Sequence, residues 1–301
     1  MTTLRKHLLV LLLCTCTSVA VAQFPPGPNS TRPQHIFESQ LFIADPVVFY
    51  NKKDSPSRLD VYIKIPYRGI QFAKDTESKE SGDIYSANVQ YEIVLKSSFN
   101  DSVIVNELKD VKISEKYNTK LLRAGSKIII NNYNLSPGKY LLNITVSDVN
   151  TQKKYSENYN IDVLEGSGKD IYTSDIMILS SYEKNSEGKT SITPLISNDV
   201  GRSKNYFVFF EVYNNSAEAI TKELNFSFKN NNDKVLSVKK QSYSFQPGTN
   251  AIVEKFSSVL VEEENLVLEV SDSSGKVLTK KYLLNRPVFR EPDTRIFPPQ
   301  F

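Results

Sequence analysis

The stretch PGKYLLNITVSD, residues 137–148, is the one around which the rest of this chain is organised. Pro137 presets the backbone angle that the second residue of a turn requires, and Gly138 accepts the positive φ that can follow. From residue 142 onward apolar and polar residues alternate, which is the pattern of a β-strand with one buried face and one wet face. The stretch therefore predicts a turn, a half-buried strand and a second turn that Asp148 opens.

A related stretch, LVLEVSD at residues 266–272, ends on the same Val-Ser-Asp triplet. An aspartate directly after a strand is the residue that an Asx-turn requires, so Asp148 and Asp272 are both predicted to open turns between strands. The hydroxyl of Tyr140 is predicted to pin its corner of the fold, as tyrosines do in other sandwiches. The repeated pattern indicates two domains of similar plan and does not indicate a chemistry.

Strand patterns recur through the rest of the chain. They occupy residues 59–65, 89–95, 103–113, 127–130, 155–163, 176–179, 206–213, 224–228, 235–238, 252–261, 266–270 and 277–284. Residues 206–213 are apolar enough to form a central strand covered on both faces. Turn-forming residues at 230–233 and 272–275 predict hairpins. The longest helical prediction is one or two turns at residues 218–224. Short strands at a spacing of roughly 8–12 residues predict an all-β fold of two tandem immunoglobulin-like β-sandwich domains.

The chain divides into six predicted segments. They are a signal peptide at 1–22, a proline-rich spacer at 23–36, a first β-sandwich at 37–164, a linker at 165–171, a second β-sandwich at 172–285, and a proline- and aromatic-rich tail at 286–301. The signal peptide combines basic residues, a short apolar core and an Ala-Val-Ala cleavage site. The apolar core is shorter than the roughly 20 residues of a membrane span. We therefore expect export to the periplasm or the outer cell surface, with no transmembrane segment after cleavage.

The positions of the cysteines and the charge balance exclude several classes of function. Cys14 and Cys16, the two cysteines of the chain, both lie in the predicted signal peptide. The mature protein is then expected to have no disulfide, no thiolate metal ligand and no cysteine nucleophile. The chain has 37 Lys and Arg against 34 Asp and Glu, a balance that predicts no basic surface for nucleic acid.

The motifs of the common catalytic sites are missing from the sequence, although carboxylates are plentiful. His35, in the spacer, is the single histidine after the signal peptide, and the nucleophile-elbow, phosphate-loop and zinc-protease motifs do not occur. The densest acidic cluster, residues 262–264, is predicted to be a solvated loop, because neighbours on a strand point to opposite faces. We therefore predict no catalytic, cofactor-binding or metal-binding residue, and no enzymatic activity.

The sequence leaves two alternatives to a purely structural interpretation open. Asp148 and Asp272 are candidate calcium ligands, although Glu269 is the one acidic residue within three positions of either. The 16 Tyr and 16 Phe are predicted mainly as core residues, but an exposed row of tyrosines would form a sugar-binding platform.

Four segments resemble the N-terminal half of the GWxTD-domain proteins, which are exported proteins of Bacteroidetes-type and related bacteria. The segments are RLDVYI at 58–63, KIPYR at 64–68, PGKY at 137–140 and PLISNDV at 194–200, and the resemblance extends over residues 59–212. It implies export and β-sandwich domains. The sequence contains no tryptophan, so the motif that names the family is missing, and the role of the GWxTD domain is not carried over.

These observations favour a non-enzymatic, exported cell-envelope protein that acts as a protein-binding or scaffolding module. Exposed sheet edges and the two proline-aromatic ends are its predicted contact sites. Its predicted partners are unidentified envelope proteins, including a separate chain that carries the GWxTD domain. A carbohydrate-binding module that uses exposed tyrosines is the alternative.

Overall fold

The computed structural model describes residues 41–50, 56–77, 83–116, 125–165, 170–184, 188–257 and 263–285. The predicted signal peptide, spacer and tail lie outside these ranges, as does the centre of the predicted linker. Within them, regular structure is β-strand apart from two short 3-10 turns. No segment in these ranges is a helix long and apolar enough to cross a membrane.

The first half of the chain forms two antiparallel sheets. Its strands are β1 (Ile43–Phe49), β2 (Ser57–Pro66), β3 (Ala73–Lys74), β4 (Ile84–Ser97), β5 (Val103–Lys116), β6 (Ser126–Leu135), β7 (Gly138–Asp148) and β8 (Lys154–Val163). One sheet has the order β1-β2-β6, and the other joins β3, β4, β7 and β8, with β5 paired to β4. Alternate residues of both sheets, among them Leu59, Ile63, Ile93 and Ile144, meet in a first apolar core. The alternation of apolar and polar residues along these strands predicts such a buried inner face on each sheet.

The second half repeats this arrangement. Its strands are β9 (Ile171–Thr173), β10 (Met177–Lys184), β11 (Thr190–Pro194), β12 (Asn205–Asn214), β13 (Ile220–Lys229), β14 (Val235–Phe245), β15 (Gly248–Ser257), β16 (Asn265–Asp272) and β17 (Val277–Leu284). One sheet has the order β11-β10-β12-β15, with β9 also paired to β12, and the other has the order β14-β13-β16-β17. Val208, Phe210, Phe226 and Leu268 lie in the second apolar core between them.

The two halves share a strand order. The neighbours β5, β4, β7 and β8 correspond to β14, β13, β16 and β17, and β1-β2-β6 corresponds to β10-β12-β15. The strands that end in Val-Ser-Asp, β7 and β16, therefore occupy equivalent places. The prediction of an all-β fold with immunoglobulin-like sandwiches is confirmed.

A third apolar core lies between the two halves. Val47 and Phe49 of β1 meet Met177 and Leu179 of β10 in it. The strand β12 contributes to two cores, because its even-numbered residues from Tyr206 to Phe210 enter the second core while Phe207 and Phe209 pack against the third. The prediction that this strand is covered on both faces is confirmed.

The helical prediction at residues 218–224 is wrong. Residues from Ile220 onward belong to β13, which pairs with β14 on one side and β16 on the other. Leu224, Phe226 and Phe228 enter the core at strand spacing. Backbone pairing on both edges and burial of one face outweigh the weak local preference for a helix.

Candidate interaction surface

The outer edge of β1 is closed by the second half of the chain. The Val48 N–H donates to Asp175 Oδ2 at 2.9 Å, and the Asp175 N–H donates to the Val48 carbonyl at 3.0 Å. The Tyr50 N–H donates to the Tyr213 hydroxyl at 2.8 Å. Because these backbone groups are already bonded, this edge cannot accept a further strand.

A charged cluster beside this contact lines a small cavity. The cavity has a volume of about 50 Å³, and Asp45, Asp162, Asp175 and Lys281 are among its lining residues. Lys281 forms a largely buried ion pair with Asp45. Burial raises the pKa of Asp175 to about 6, and the Val48 N–H and the Lys281 charge oppose the shift. A space of this size is too small for a typical substrate. The Asp45–Lys281 ion pair joins β1 to β17, so the cluster contributes to the contact between the halves.

The strand β5, in contrast, has an open edge. It pairs with β4 from Val103 to Lys116 and with no other strand in the described ranges. Val103, Ile104 and Leu108 are 54%, 48% and 61% exposed. We call the unpaired backbone of β5 and these three side chains the β5 edge. An unpaired strand edge with exposed apolar side chains has main-chain N–H and C=O groups on which another strand can pair.

The opposite face of β5 is fixed to the sandwich. Val105 packs against the first core and Ile113 is buried in it. Glu107 accepts a hydrogen bond from the Tyr133 hydroxyl at 3.0 Å and pairs with Lys109 at 2.7 Å. The hydrogen bond from Lys109 lowers the pKa of Glu107 below its ordinary value, so the carboxylate stays charged at neutral pH. The β5 edge is therefore presented on an ordered strand.

The turn that leads into β5 carries another exposed apolar side chain. The side chain of Phe99 is 96% exposed. It borders a shallow groove whose lining includes Pro137, Lys139 and Tyr140. The Tyr140 hydroxyl donates to the Ser136 carbonyl at 2.8 Å, which confirms the prediction that this tyrosine pins the corner.

The strand β14 occupies the equivalent place in the second half. It pairs with β13 and leaves Val235 and Val238 about half exposed. Its charged residues are Lys239 and Lys240, so it carries no acidic side chain, whereas β5 carries both signs. This strand is therefore a matched control for experiments on the β5 edge.

The two aspartates that were predicted to open turns do so. Asp148 Oδ1 accepts the Asn150 N–H at 2.9 Å, and its Oδ2 accepts the Gln71 N–H at 2.8 Å. Asp272 Oδ1 accepts the Ser274 N–H at 3.0 Å, and the hydrogen bond from the Ser274 hydroxyl lowers the pKa of Asp272. These donors occupy oxygens that a calcium ion would need. Among the residues that the structure describes, no group of three Asp, Glu, His or Cys side chains is placed to hold a metal ion.

The acidic cluster at 262–264 is described in part. Glu263 and Glu264 precede β16, and their carbonyls accept hydrogen bonds from Asn285 at 3.1 and 2.7 Å. The loop prediction is confirmed for these two residues. Glu262 and His35 lie outside the described residues.

The tyrosines are enclosed by the fold. Every tyrosine in the described ranges is buried or partly buried. Three of them meet between the halves, where the Tyr172 ring lies 5.6 Å from Tyr50 and 4.9 Å from Tyr213, centroid to centroid. The pair of coplanar exposed rings that the sugar-binding alternative requires does not occur among these tyrosines.

Comparison with known proteins gives structural matches of low similarity. No protein-family model matches the chain, and no curated protein sequence is similar to it. Among solved structures, the chain is similar to red sea bream transglutaminase, with 8% identity, a TM-score of 0.22, and coverage of 80% of this chain and 31% of that one. A Bacteroides uniformis β-glucuronidase 2 gives 8% identity, a TM-score of 0.25, and coverage of 79% and 28%. Trypsin-activated α2-macroglobulin of Escherichia coli gives 11% identity, a TM-score of 0.23, and coverage of 82% and 17%. The chain spans less than a third of each of these proteins.

The sequence predicts a strand at 103–113 but not its position at a sheet edge. Apolar residues at 103, 104 and 105 fall on both faces of the strand, a pattern that β12, which is covered on both faces, also shows. The run of apolar residues therefore does not by itself indicate that the strand lies at an edge.

Proposed function

We propose that this protein is a non-enzymatic protein-binding module of the cell envelope, and that it binds its partner along the β5 edge. The observation that carries the proposal is the 14-residue strand β5, which is paired on one side and exposes Val103, Ile104 and Leu108. A partner strand added there gains main-chain hydrogen bonds and buries these side chains.

The contact between the halves supports a scaffolding role. The third core and the Asp45–Lys281 ion pair join the first half to the second. A partner held on β5 is therefore positioned relative to both halves. Such fixed presentation lowers the entropic cost of binding compared with presentation on a mobile loop.

The proposed location and partners rest on the sequence. The pattern of residues 1–22 is the basis for proposing export, to the periplasm or the outer cell surface. The resemblance to GWxTD-domain proteins, together with the absence of tryptophan, is the basis for proposing a separate GWxTD-domain chain as one partner. The tail at 286–301 is a second proposed contact site.

Affinity recovery from envelope extracts tests the proposal. The tagged mature chain is compared with Leu108→Lys on the β5 edge and with the matched control Val238→Lys on β14. We expect the native chain and the control to recover the same partner, and Leu108→Lys to recover about tenfold less, because a buried lysine opposes burial of the edge. Equal recovery by all three contradicts the proposal. A chain without residues 286–301 tests the tail separately.

A further inference from the structure

We propose that the β5 edge binds a second copy of this chain, with two β5 strands antiparallel about a two-fold axis at Leu108. This inference rests on the proposed function, since it names the protein that occupies the same edge. Leu108 is the most exposed of the three apolar side chains of the edge. In the dimer it lies opposite Leu108 of the second copy, and the two side chains cover each other.

The charges beside Leu108 complement each other in this arrangement. In this arrangement a residue on one side of the axis lies opposite the residue at the same distance on the other side in the second copy. Glu107 therefore lies opposite Lys109 of the second copy, and Lys109 lies opposite Glu107 of the second copy. Directly opposed residues of an antiparallel pair have Cβ atoms about 4.5–5.5 Å apart, which brings opposite charges into contact. The pair Glu107–Lys109 that one chain forms at 2.7 Å becomes a ring of four alternating charges.

The residues further from the axis also match. Val105 lies opposite Val111 of the second copy. On the other face Asn106 lies opposite Asp110. Between Val105 and Val111 every opposed pair lies an even number of residues apart, so both members point to the same face of the joined sheet, as a two-fold axis requires. The regular pairing ends at the β-bulge between Val103 and Val105.

Neighbouring registers are disfavoured by charge. A shift of the axis by one residue places Lys109 opposite Lys109, or Glu107 opposite Glu107, and like charges directly opposite each other are destabilising. The strand β14 offers no comparable pairing, because Lys239 and Lys240 are its charged residues and no acid is present to meet them. Charge therefore disfavours the two adjacent registers of β5, and it offers no comparable pairing on β14.

Cysteine cross-linking tests the contact directly. Because both cysteines of the chain lie in the predicted signal peptide, the mature chain supplies no competing thiol. Leu108→Cys places two thiols opposite each other across the axis, at a separation that disulfide geometry accepts after a small adjustment. Under mild oxidation we expect a covalent dimer from Leu108→Cys and none from the control Val238→Cys. Equal cross-linking of both variants, or none at position 108, overturns the inference.

Charge exchange tests the register. Sedimentation velocity is expected to show a dimer for the native chain, and Glu107→Lys or Lys109→Glu alone is expected to raise its dissociation constant at least about tenfold. An equimolar mixture of the two variants is expected to restore the dimer, because the charges are again opposite. Circular dichroism checks the fold of each variant, since Glu107 also bonds Tyr133. A native chain that stays monomeric at its highest soluble concentration overturns the inference, as does a mixture that does not associate.

The failure of this inference is distinguishable from failure of the proposed function. Suppose that the native chain is monomeric but recovers a different envelope protein, and that Leu108→Lys abolishes this recovery. The proposal of a second copy is then wrong, and the proposed binding function stands. If the chain is monomeric and recovery does not depend on Leu108, both are wrong.

Discussion

Two tyrosine hydroxyls differ in their hydrogen bonding. Replacing each tyrosine with phenylalanine is therefore expected to have a different effect on the free energy of unfolding. The Tyr140 hydroxyl bonds the Ser136 carbonyl, whereas the buried Tyr206 hydroxyl has no hydrogen-bond partner in the part of the chain that the structure describes. We expect Tyr140→Phe to lower the free energy of unfolding by about 1 kcal/mol, and Tyr206→Phe to leave it unchanged or raise it. Urea denaturation measures both changes, provided that the dependence of the unfolding free energy on urea concentration is the same in each variant. Equal stability of native protein and Tyr140→Phe contradicts the corner role.

Asp175 is a carboxylate whose ionisation the fold disfavours. Its pKa of about 6 in the folded chain lies above its ordinary value of 3.8, chiefly because of burial. The folded chain thus binds this proton more tightly than the unfolded chain does. The group adds stability as the pH falls from about 6 to about 4, and at neutral pH its charge costs at most about 3 kcal/mol.

Asp175→Asn removes that charge and keeps an oxygen acceptor for the Val48 N–H. We expect a higher melting temperature near neutral pH and a weaker dependence of stability on pH between about 4 and 6. Thermal melts across this range measure both, with Asp101→Asn, an exposed aspartate in the turn before β5, as the control for the substitution itself. A lower melting temperature for Asp175→Asn at neutral pH would contradict this account of the junction.

At the scale of elements, strands with regular alternation are predictable from the sequence. The strands β4 and β7 follow their alternation because each has one face in the first core. The strand β1 escapes prediction because Val47 and Phe49 face the third core while Val48 faces the first, so apolar residues fall on both faces. Its Pro46 also weakens the local strand pattern.

The candidate site is less predictable than the strands. Whether Ile104 and Leu108 are exposed depends on which strands lie beside β5 in space, and neither their own spacing nor their composition contains that information. The corner at Tyr140 and the turns at Asp148 and Asp272 were predictable because each uses partners within a few residues along the chain. Long-range contacts such as Val48 with Asp175 leave no local signature.

At the scale of the whole molecule, the third core links the two halves in unfolding. Phe49 is buried there, with its ring centroid 6.1 Å from that of Phe209. We expect Phe49→Ala to cost about 3–4 kcal/mol and to separate one unfolding transition into two, because the halves lose the core they share. Differential scanning calorimetry resolves whether there are one or two transitions.

The control Ile93→Val in the first core is expected to lower the free energy of unfolding by about 1 kcal/mol within a single transition. An unsplit transition for Phe49→Ala would show that the halves are not coupled through this core.

The claim that the β5 edge binds protein is tested by site-specific photo-cross-linking in intact envelopes. A photoreactive amino acid is placed at position 108 on β5 or at position 238 on β14, and both positions are exposed in the structure. We expect a covalent protein adduct from position 108 and none from position 238, and the mass of the adduct identifies a second copy or another protein. An envelope in which position 108 gives no adduct, or no more than position 238, contradicts the claim.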